Sequence, residues 1–463
     1  MPGLNPAIFR AYDVRGRVGD DLNATSIYAI ARAFACLLVE KAEFVCYLGR
    51  DGRLSSAEFA EQFALGLRHS GIDVIDCGAL PTPALFWAAK QNNGTGAMIT
   101  GSHNPASDNG IKMMCAGKPL SAAEIQRLYR LSQQQNAQQL NGRYEQQDLW
   151  RNRYAQRLLQ GLRLKRPLKL VLDAGNGIAG PIALQAYRAL GCEVIPLACD
   201  IDGNFPLHHP DPSQAENLRH IRQAVINEKA DLGIAFDGDG DRIGVVNHLG
   251  EIVLPDRLSL LYADDILLRE PGATLLYDVK CSYLFAREVS RLGGRAQMIK
   301  TGHSHMKNGI VEFNAAFATE LSGHILFNDT LGMGVDDGIY AGLRLCSLLS
   351  ESALSLKVRL DQYPASVVTP EIQVSLAEQD KKPMMENISR RLLASHSCNT
   401  LDGLRIEYED GWALVRASNT TACLTLRFEA RDEKSLAFIR HDIHQIIAAC
   451  AASLGLPIDL ERV

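Results

Sequence analysis

Several features that would assign the chain to a membrane or to export are missing from its 463 residues. The longest apolar stretches, such as Ile446–Leu456, are shorter than the roughly 20 residues needed to cross a bilayer. The first residues, Met-Pro-Gly-Leu-Asn-Pro-Ala, lack the basic start and the apolar stretch of a secretory signal. We therefore expect no membrane partner and no export.

An excess of positive charge is also missing, since the formal net charge is −5 at pH 7. Nucleic-acid binding needs a basic surface that displaces counterions, so we expect no nucleic-acid partner. The eleven cysteines contain no Cys-x-x-Cys pair, and several lie in apolar runs such as 44–48. This pattern predicts reduced core thiols in a cytoplasmic protein rather than a disulfide framework or a zinc site.

Three segments share one pattern, in which an apolar strand is followed by a polar turn, a helix, a glycine and a second strand. They cover residues 45–78, 168–196 and 273–300. A strand–helix–strand unit of this kind favours a mainly parallel sheet covered by helices. The chain is longer than a usual domain of roughly 100 to 200 residues, so we expect three similar mixed α/β domains. A chance repetition of common α/β patterns is the competing interpretation.

The residues from 364 onward follow a different pattern. Short strands at 371–376, 403–408, 412–416 and 423–428 alternate with helices near 379–395 and 432–453. This order predicts a C-terminal α+β domain with an open antiparallel sheet. The four predicted domains cover residues 1–149, 150–251, 252–363 and 364–463.

The most specific motif is Asp237-Gly-Asp239-Gly-Asp241-Arg242, which follows an apolar strand. Three carboxylates at alternate positions of a glycine-containing turn can face one point, where they repel one another unless a hard cation compensates. A calcium EF-hand is excluded because its sixth and twelfth positions, Gly and Glu, are Arg242 and His248 here. The motif predicts a divalent cation bound by oxygen, and a solvated acidic turn is the competing interpretation.

A second motif, Thr-Gly-Ser102-His103-Asn-Pro, follows another predicted strand, and Lys112 lies ten residues after Ser102. The motif presents a hydroxyl and an imidazole in one turn. No Gly-x-Ser-x-Gly elbow surrounds Ser102, so an esterase triad is poorly supported. By itself the segment could be an ordinary turn, because Ser, Asn, Pro and Gly favour turns.

Four separated segments resemble, in the same order, the signature loops of the α-D-phosphohexomutase superfamily. The phosphoserine, metal, sugar-recognition and phosphate-binding loops are matched at 102–105, 237–242, 319–324 and 416–421. Segments 9–16 and 300–303 also resemble the phosphomannomutase/phosphoglucomutase branch. From these motifs the chain is identified as a member of this superfamily along its whole length, which strengthens the prediction of three α/β domains and a fourth domain.

The resemblance implies a phosphohexomutase that interconverts hexose 1-phosphate and hexose 6-phosphate, of mannose, glucose or both. Ser102 would carry the phosphoryl group, hexose 1,6-bisphosphate would be the intermediate and activator, and one Mg²⁺ would be bound by Ser102, Asp237, Asp239 and Asp241. Phosphoryl transfer needs in-line placement and neutralisation of oxygen charge, which a metal and basic groups supply. The implied catalytic residues are Ser102, His103, Lys112, Arg15 and Arg242.

Among the basic residues, His103 and Lys112 are the candidates for proton transfer, because an arginine does not give up its proton near neutral pH. A structural hydrogen bond within the turn is the alternative for His103. The implied partners are small-molecule hexose phosphates, and we expect a monomer. The implied substrate-binding residues are Tyr12, Lys280, His303, Glu320, Ser322, His324, Arg416, Ser418, Asn419 and Thr420.

The loops depart from the family pattern at four positions, none of which removes a functional group. Gly101 and Ala106 stand where many relatives carry Ala and Pro, Thr319 where Gly is typical, and Ala422 where Pro is common. Three other functions compete with the main interpretation: a phosphoglucosamine mutase, a metal-dependent phosphatase that uses Ser102, and a sugar-phosphate binding protein without catalysis. Asn419 stands where the phosphoglucosamine branch typically has Gly, which favours the mannose and glucose branch.

Overall fold

The structure is a computed structural model that describes residues 4–134, 139–418 and 422–460. Within these ranges the strands form four sheets, which follow one another along the chain. We number the four domains after these sheets, and their boundaries stay a prediction. No helix in the described part of the chain is long and apolar enough to span a bilayer.

The first domain contains a seven-stranded mixed sheet. Strands β4, β2, β3 and β7 run parallel in that order, and β4 is followed by antiparallel β5, which also pairs with β1 and β6. The elements are β1 (Val14–Arg17), α1 (Ala24–Glu40), β2 (Val45–Arg50), α2 (Ser56–Arg68), β3 (Asp73–Ala79), α3 (Thr82–Lys90), β4 (Gly96–Ile99), β5 (Asp108–Cys115), β6 (Lys118–Pro119), α4 (Ala122–Ser132) and β7 (Tyr144–Gln146).

Local sequence signals explain several of these elements. Helix α1 begins at a capping box in which Asn23 and Ser26 exchange side-chain to backbone hydrogen bonds. It buries Ile27, Ile30 and Phe34 at the three- and four-residue spacing that places side chains on one face. All four residues of β4 are buried, as expected for a strand covered on both faces.

The second and third domains repeat this plan with shorter sheets. In the order β12-β11-β10-β8-β9 and in the order β14-β13-β15-β16, central parallel strands adjoin an antiparallel edge. The elements are α5 (Leu149–Leu158), β8 (Lys169–Asp173), α6 (Gly180–Leu190), β9 (Glu193–Leu197), α7 (Arg219–Glu228), β10 (Leu232–Phe236), β11 (Ile243–Asn247), β12 (Ile252–Val253), α8 (Pro255–Arg269), β13 (Thr274–Asp278), α9 (Tyr283–Arg291), β14 (Arg295–Ile299), α10 (His303–Glu312), β15 (Phe317–Thr319), β16 (Ile325–Phe327), α11 (Gly338–Leu349) and α12 (Leu356–Leu360).

The fourth domain has a six-stranded sheet in which every pair is antiparallel. The elements are β17 (Val367–Val368), β18 (Ile372–Ser375), α13 (Glu378–Ser395), β19 (Ser397–Asn399), β20 (Leu404–Tyr408), β21 (Gly411–Ala417), β22 (Cys423–Ala430) and α14 (Glu433–Leu454). The predicted fold class, three mixed α/β domains and a C-terminal α+β domain with an antiparallel sheet, is therefore confirmed.

The four loops that the motifs single out occupy one recurring position. In each of the first three domains the loop connects a central parallel strand to its antiparallel neighbour: β4 to β5, β10 to β11 and β15 to β16. The fourth loop connects β21 to β22. The strand pattern predicted the parallel units but not the antiparallel edges on which these loops depend.

The first three domains share a continuous apolar core, whereas the fourth domain has a core of its own. One apolar cluster is continuous from the first domain to the third and includes Trp87, Trp150, Tyr187 and Phe317. The fourth domain has its own cluster between its sheet and helices α13 and α14. A small group formed by Val279, Trp412 and Leu414 packs the fourth domain against the third.

A substitution in helix α11, at Gly342, tests the packing between the second and third domains. A Cβ atom at Gly342 would lie 2.0 Å from Tyr187 Oη, which donates a hydrogen bond to Ile339 O at 3.1 Å. Alanine normally stabilises a helix interior by about 1 kcal/mol relative to glycine. Here we expect Gly342→Ala to lower the midpoint of thermal unfolding, because overpacking costs about 1–3 kcal/mol. Adding Tyr187→Phe should recover much of the loss, and a higher midpoint for Gly342→Ala alone would contradict the packing.

Candidate active site

The loop between β10 and β11 buries three carboxylates in one place. Asp237, Asp239 and Asp241 are fully buried, and they offer oxygens that lie within 4.8 Å of one another. Asp239 Oδ2 accepts hydrogen bonds from Thr82 Oγ1 (2.5 Å) and Lys112 Nζ (2.7 Å), and Asp241 Oδ2 accepts one from Lys112 Nζ (2.6 Å). Asp239 Oδ1 and Asp241 Oδ1 have no hydrogen-bond donor among the described residues, which leaves them available to a cation.

The charges in this loop are only partly balanced. Burial and the neighbouring charges of Asp241 and Asp239 raise the pKa of Asp237 well above its ordinary value. Burial also opposes ionisation of Asp241, but the charges of Lys112 and His324 outweigh it and lower the pKa of Asp241 to about 2. One ammonium thus stabilises one side of the cluster and leaves repulsion at the other, which a divalent cation would relieve.

A second group of possible ligands, Asp241, His324 and Asp336, is already occupied by charged side chains. Lys307 Nζ lies 2.8 Å from Asp336 Oδ1, and His324 Nδ1 lies 3.2 Å from Asp336 Oδ2. Arg242 Nε lies 3.0 Å from His324 Nε2, on the side of the imidazole opposite to Nδ1 and Asp336. This group is an ion-pair network, and we assign the candidate metal site to the aspartate triplet.

Ser102 brings the first domain into contact with the metal loop. Its side chain is fully buried, and its backbone is in the left-handed region at φ 50°. Ser102 Oγ donates a hydrogen bond to Asp237 Oδ2 at 2.9 Å and lies 3.1 Å from His103 Nδ1. Two motifs that are far apart in the sequence therefore meet at one hydroxyl group.

Arg15 lies against the loop that carries Ser102. Its Nη1 donates to Asn104 Oδ1 at 2.7 Å and to Gly101 O at 3.3 Å, while its Nε donates to Asp13 Oδ2 at 2.8 Å. A guanidinium is a fixed positive charge with directed donors. Arg15 therefore places positive charge against the loop that carries Ser102 without serving as a base.

The two candidates for proton transfer are in opposite protonation states. Burial, together with the positive charges of Arg242, Arg15 and Lys112, lowers the pKa of His103 well below its ordinary value. Burial would lower the pKa of Lys112 as well, but Asp239 and Asp241 outweigh it and raise that pKa. Near neutral pH, His103 is a neutral imidazole and Lys112 is an ammonium.

The sugar-recognition loop, 319–324, lies next to segment 300–303, which in turn contacts Tyr12 of the first domain. Ser322 Oγ donates to Glu320 Oε2 at 2.9 Å, and Gly302 N donates to Glu320 Oε1. Burial raises the pKa of Glu320. The ring of Tyr12, from the first domain, meets the ring of His303 edge-on at 6.0 Å, so the predicted sugar-binding residues line one region.

The phosphate-binding loop contributes a buried guanidinium. Arg416 Nη2 lies 3.2 Å from Asp402 Oδ2, which also accepts a hydrogen bond from Thr301 N at 3.1 Å. The Nε of Arg416 is buried without a hydrogen-bond partner among the described residues. Lys280 Nζ lies 3.3 Å from Glu371 Oε2. Arg416 and Lys280, two of the predicted substrate-binding residues, are thus each paired with a carboxylate.

The rest of this loop is described only in part. Ser418 is half-buried, and its carbonyl accepts a hydrogen bond from Lys381 Nζ at 2.7 Å. The remaining two predicted residues, Asn419 and Thr420, lie outside the described residues. Their part in phosphate binding stays a prediction.

Four family models of the phosphoglucomutase/phosphomannomutase type match the chain in order. Three are described as α/β/α domains I, II and III and match residues 6–139, 152–250 and 254–366. The fourth, described as the C-terminal domain, matches residues 371–446. The chain belongs to the phosphoglucomutase/phosphomannomutase family. This family is a branch of the α-D-phosphohexomutase superfamily, so the resemblance noted in the motifs is confirmed.

Relatives of this family cover almost the whole chain. The chain is 44% identical to a phosphomannomutase/phosphoglucomutase of Pseudomonas aeruginosa over 98% of both proteins. It is 42% identical to a phosphoglucomutase of Neisseria gonorrhoeae over 96% of this chain and 98% of the relative. A crystal structure of a family protein from Burkholderia thailandensis superposes with a TM-score of 0.92 at 40% identity, covering 98% of this chain and 99% of the other.

The motifs of the phosphoglucomutase/phosphomannomutase family did not point to several residues that hold the site together. Thr82, Lys307, Asp336 and Asp402 all contact predicted site residues or their partners. Asp336 had a weak signal, because it lies in a glycine-containing turn before an apolar helix. The other three lie in segments with no distinctive pattern. They hold the site through contacts with residues distant in sequence, which a local pattern does not reveal.

The aspartate triplet predicts a specific effect on metal binding. Asp239→Asn removes a negative charge from the cluster, so we expect Mg²⁺ affinity to fall by at least about tenfold, because affinity follows ligand charge. Isothermal titration with Mg²⁺ measures this directly. Asp173→Asn is the matched control, because Asp173 is also buried at the end of a strand of the same sheet but bonds His208 at 2.9 Å instead. Equal affinity in wild type and Asp239→Asn would contradict the assignment.

Proposed function

We propose that the chain is a phosphohexomutase that interconverts hexose 1-phosphate and hexose 6-phosphate. The observation that carries the proposal is the contact of Ser102 Oγ with Asp237 Oδ2 at 2.9 Å, inside a buried acidic cluster. A hydroxyl beside a candidate metal site, with Arg15 and Lys112 nearby, suits a phosphoryl carrier. In this proposal Ser102 is phosphorylated and exchanges its phosphoryl group with the sugar through hexose 1,6-bisphosphate, which also serves as activator.

Mg²⁺ is the metal proposed for the cluster. Asp237, Asp239 and Asp241 would hold it together with one oxygen of the group on Ser102. The buried oxygens Asp239 Oδ1 and Asp241 Oδ1, which have no donor among the described residues, support this choice. Hard oxygen ligands are the ones that Mg²⁺ prefers. When bound, Mg²⁺ neutralises charge on the transferring phosphoryl group.

Each transfer also moves a proton from the hydroxyl group that accepts the phosphoryl group. His103 is neutral and lies 3.1 Å from Ser102 Oγ, so it is placed to accept the proton of this hydroxyl when Ser102 is rephosphorylated. Lys112 is an ammonium bonded to Asp239 and Asp241 and is placed to donate hydrogen bonds and charge. Arg15 and Arg242 supply further positive charge without changing protonation.

The sugar must bind in two orientations, because Ser102 has to serve O1 and O6 in turn. The phosphate that is not reacting would be held by Arg416, Ser418, Asn419 and Thr420, with Lys280. Charge-assisted bonds to a phosphate depend on charge and shape rather than on the carbon that bears it. Glu320 and Ser322, with Tyr12, His303 and His324, would recognise hydroxyl groups that both orientations present.

The substrates proposed are the phosphates of mannose and glucose. The names of the relatives, phosphomannomutase/phosphoglucomutase and phosphoglucomutase, favour these sugars over glucosamine phosphate. A cytoplasmic monomer is the proposed state of the protein. None of its eleven cysteines, nine of which are buried, forms a disulfide bond, which suits a reducing compartment.

Ser102→Ala tests the covalent relay. We expect kcat to fall by at least about a thousandfold, the order that follows removal of a covalent nucleophile. The mass of one phosphate should also be absent from the intact protein. Ser107→Ala, in the same loop but exposed, should keep both activity and phosphate. Assays with mannose 1-phosphate, glucose 1-phosphate and glucosamine 1-phosphate, plus free phosphate release, separate a mutase from a phosphatase or a binding protein. Near-normal turnover of Ser102→Ala would refute the relay.

Arg416→Ala tests the two-orientation clamp. We expect KM for glucose 1-phosphate and mannose 1-phosphate to rise by similar factors, roughly ten- to a hundredfold, as for loss of a hydrogen bond to a charged group. Release of 1,6-bisphosphate into solution should increase, because the intermediate is held less tightly. Arg431→Ala is the control, since its side chain is 65% exposed in the same domain. An effect on one sugar only, without extra release, would mean that Arg416 recognises the sugar.

A further inference from the structure

Arg53 makes an unusual set of contacts with the loop that carries Ser102. The residue is buried, with 3% of its surface exposed. Its Nη1 donates to the carbonyl oxygens of Pro105 (2.6 Å) and Asp108 (2.9 Å), and its Nη2 donates to those of Ser102 (2.8 Å) and Asn104 (2.6 Å). Each Nη atom carries two hydrogens. All four of these hydrogens are therefore used by the backbone of one loop.

This loop needs support, because its backbone is strained where the reacting group is attached. Ser102 adopts φ 50°, and the left-handed region costs a residue with a Cβ roughly 1–2 kcal/mol. Such conformations persist only where surrounding contacts fix them. Arg53 binds the carbonyl of Ser102 itself and three carbonyls that follow it, which fixes the direction in which the Ser102 side chain leaves the loop.

The guanidinium is in turn fixed by its surroundings. Its Nε lies 3.3 Å from Asp51 Oδ2, and Asp51 Oδ1 accepts hydrogen bonds from Arg53 N (2.9 Å) and Ser56 Oγ (2.5 Å). The ring of Phe205, from the second domain, lies over it with its centroid 5.0 Å from Arg53 Cζ. A Cβ atom at position 101 would lie 2.6 Å from Arg53 Cζ, so Gly101 leaves the space that the guanidinium occupies.

Arg53 differs from Arg15 in what it can still bind. Arg15 donates to Gly101 O and Asn104 Oδ1 from the side of the loop where Asp13 lies. Arg53 has no Nη hydrogen left for a phosphate, since the loop carbonyls take all four. It therefore acts through the loop and not on the substrate.

We infer that Arg53 is a positioning residue for phosphoryl transfer, which holds the Ser102 loop in the conformation that directs Ser102 Oγ at Asp237. The catalytic part of this inference rests on the proposed function. The structural part, that Arg53 orders residues 101–109, does not. A lysine at this position keeps the charge but cannot reach four carbonyls with one planar group.

The test compares Arg53→Lys with wild type in two measurements. In steady-state kinetics with glucose 1-phosphate, kcat should fall by about a hundredfold, the order of loss for a reacting group displaced by about 1 Å. KM should change by less than about threefold, because Arg53 does not bind the phosphate. In hydrogen–deuterium exchange, the amides of residues 101–109 should exchange faster in the variant than in wild type. The amides of strands in the other three domains should keep their protection.

Arg344→Lys is the matched control for loss of a buried guanidinium. Arg344 has a side-chain exposure of 1% and lies 2.6 Å from Asp329 and 2.9 Å from Asp265, away from the Ser102 loop. This control should lower stability without changing kcat or the exchange of residues 101–109. If Arg53→Lys does not fold, Asp51→Asn keeps Arg53 and removes the charge that holds its Nε. In that variant kcat should fall by roughly several-fold, and the amides of residues 101–109 should again exchange faster than in wild type.

Each outcome decides the inference. Unchanged kcat, or unchanged exchange of residues 101–109, would overturn it in Arg53→Lys, or in Asp51→Asn if the first variant does not fold. A rise in KM with kcat preserved would also overturn it, because Arg53 would then bind the phosphate. If wild type itself has no mutase activity, the proposed function fails, and the exchange measurement alone decides whether Arg53 orders the loop.

Discussion

The buried negative charge of Asp237, Asp239 and Asp241 is the constraint on which the rest of the site depends. Carboxylates removed from water repel one another strongly, and this turn keeps them together only because cationic groups and hydrogen-bond donors surround them. Lys112 comes from the first domain, and through Asp241 the cluster also faces His324 of the third. The electrostatics of one loop therefore require the first three domains to pack around it, which agrees with their continuous core.

The recurring strand arrangement explains how the first three domains bring their candidate loops into contact, as Ser102 does with Asp237 and Arg242 does with His324. In the first three domains, a parallel strand ends and the chain turns back into an antiparallel neighbour. The turn projects from the carboxyl end of a buried strand, which is where open α/β sheets place their ligands. The fourth domain meets the third through a different sheet: Arg416 pairs with Asp402, which accepts a hydrogen bond from Thr301 N of the third domain. The fourth domain has its own core, but buried hydrogen bonds also join it to the third domain, such as those from Arg405 Nη1 to Val279 O at 2.7 Å and to Cys281 O at 2.8 Å.

The sequence predicted most of the side chains that the structure brings together at the candidate site, and few of the residues that hold them in place. The aspartate triplet lies in a short motif that by itself predicts a cation site, whereas Ser102 was identified only because its loop resembles the phosphoserine loop of the superfamily. Arg53 and Asp402 contact groups 49 and 14 residues away, respectively, and no local pattern encodes such contacts. The antiparallel edge strands were missed for a related reason, since strand direction is decided by pairing and not by periodicity.

The central claim is that Ser102 carries a phosphoryl group that shares a metal with the aspartate triplet. Phosphorus-31 NMR of the protein after reaction with glucose 1,6-bisphosphate, followed by titration with Mn²⁺, tests it most directly. The account predicts one phosphoserine resonance, absent in Ser102→Ala, that broadens beyond detection at about one equivalent of Mn²⁺ because the paramagnetic ion lies beside the phosphate. A phosphoserine resonance that stays sharp with Mn²⁺ bound, or the absence of any phosphoserine in active protein, would contradict it.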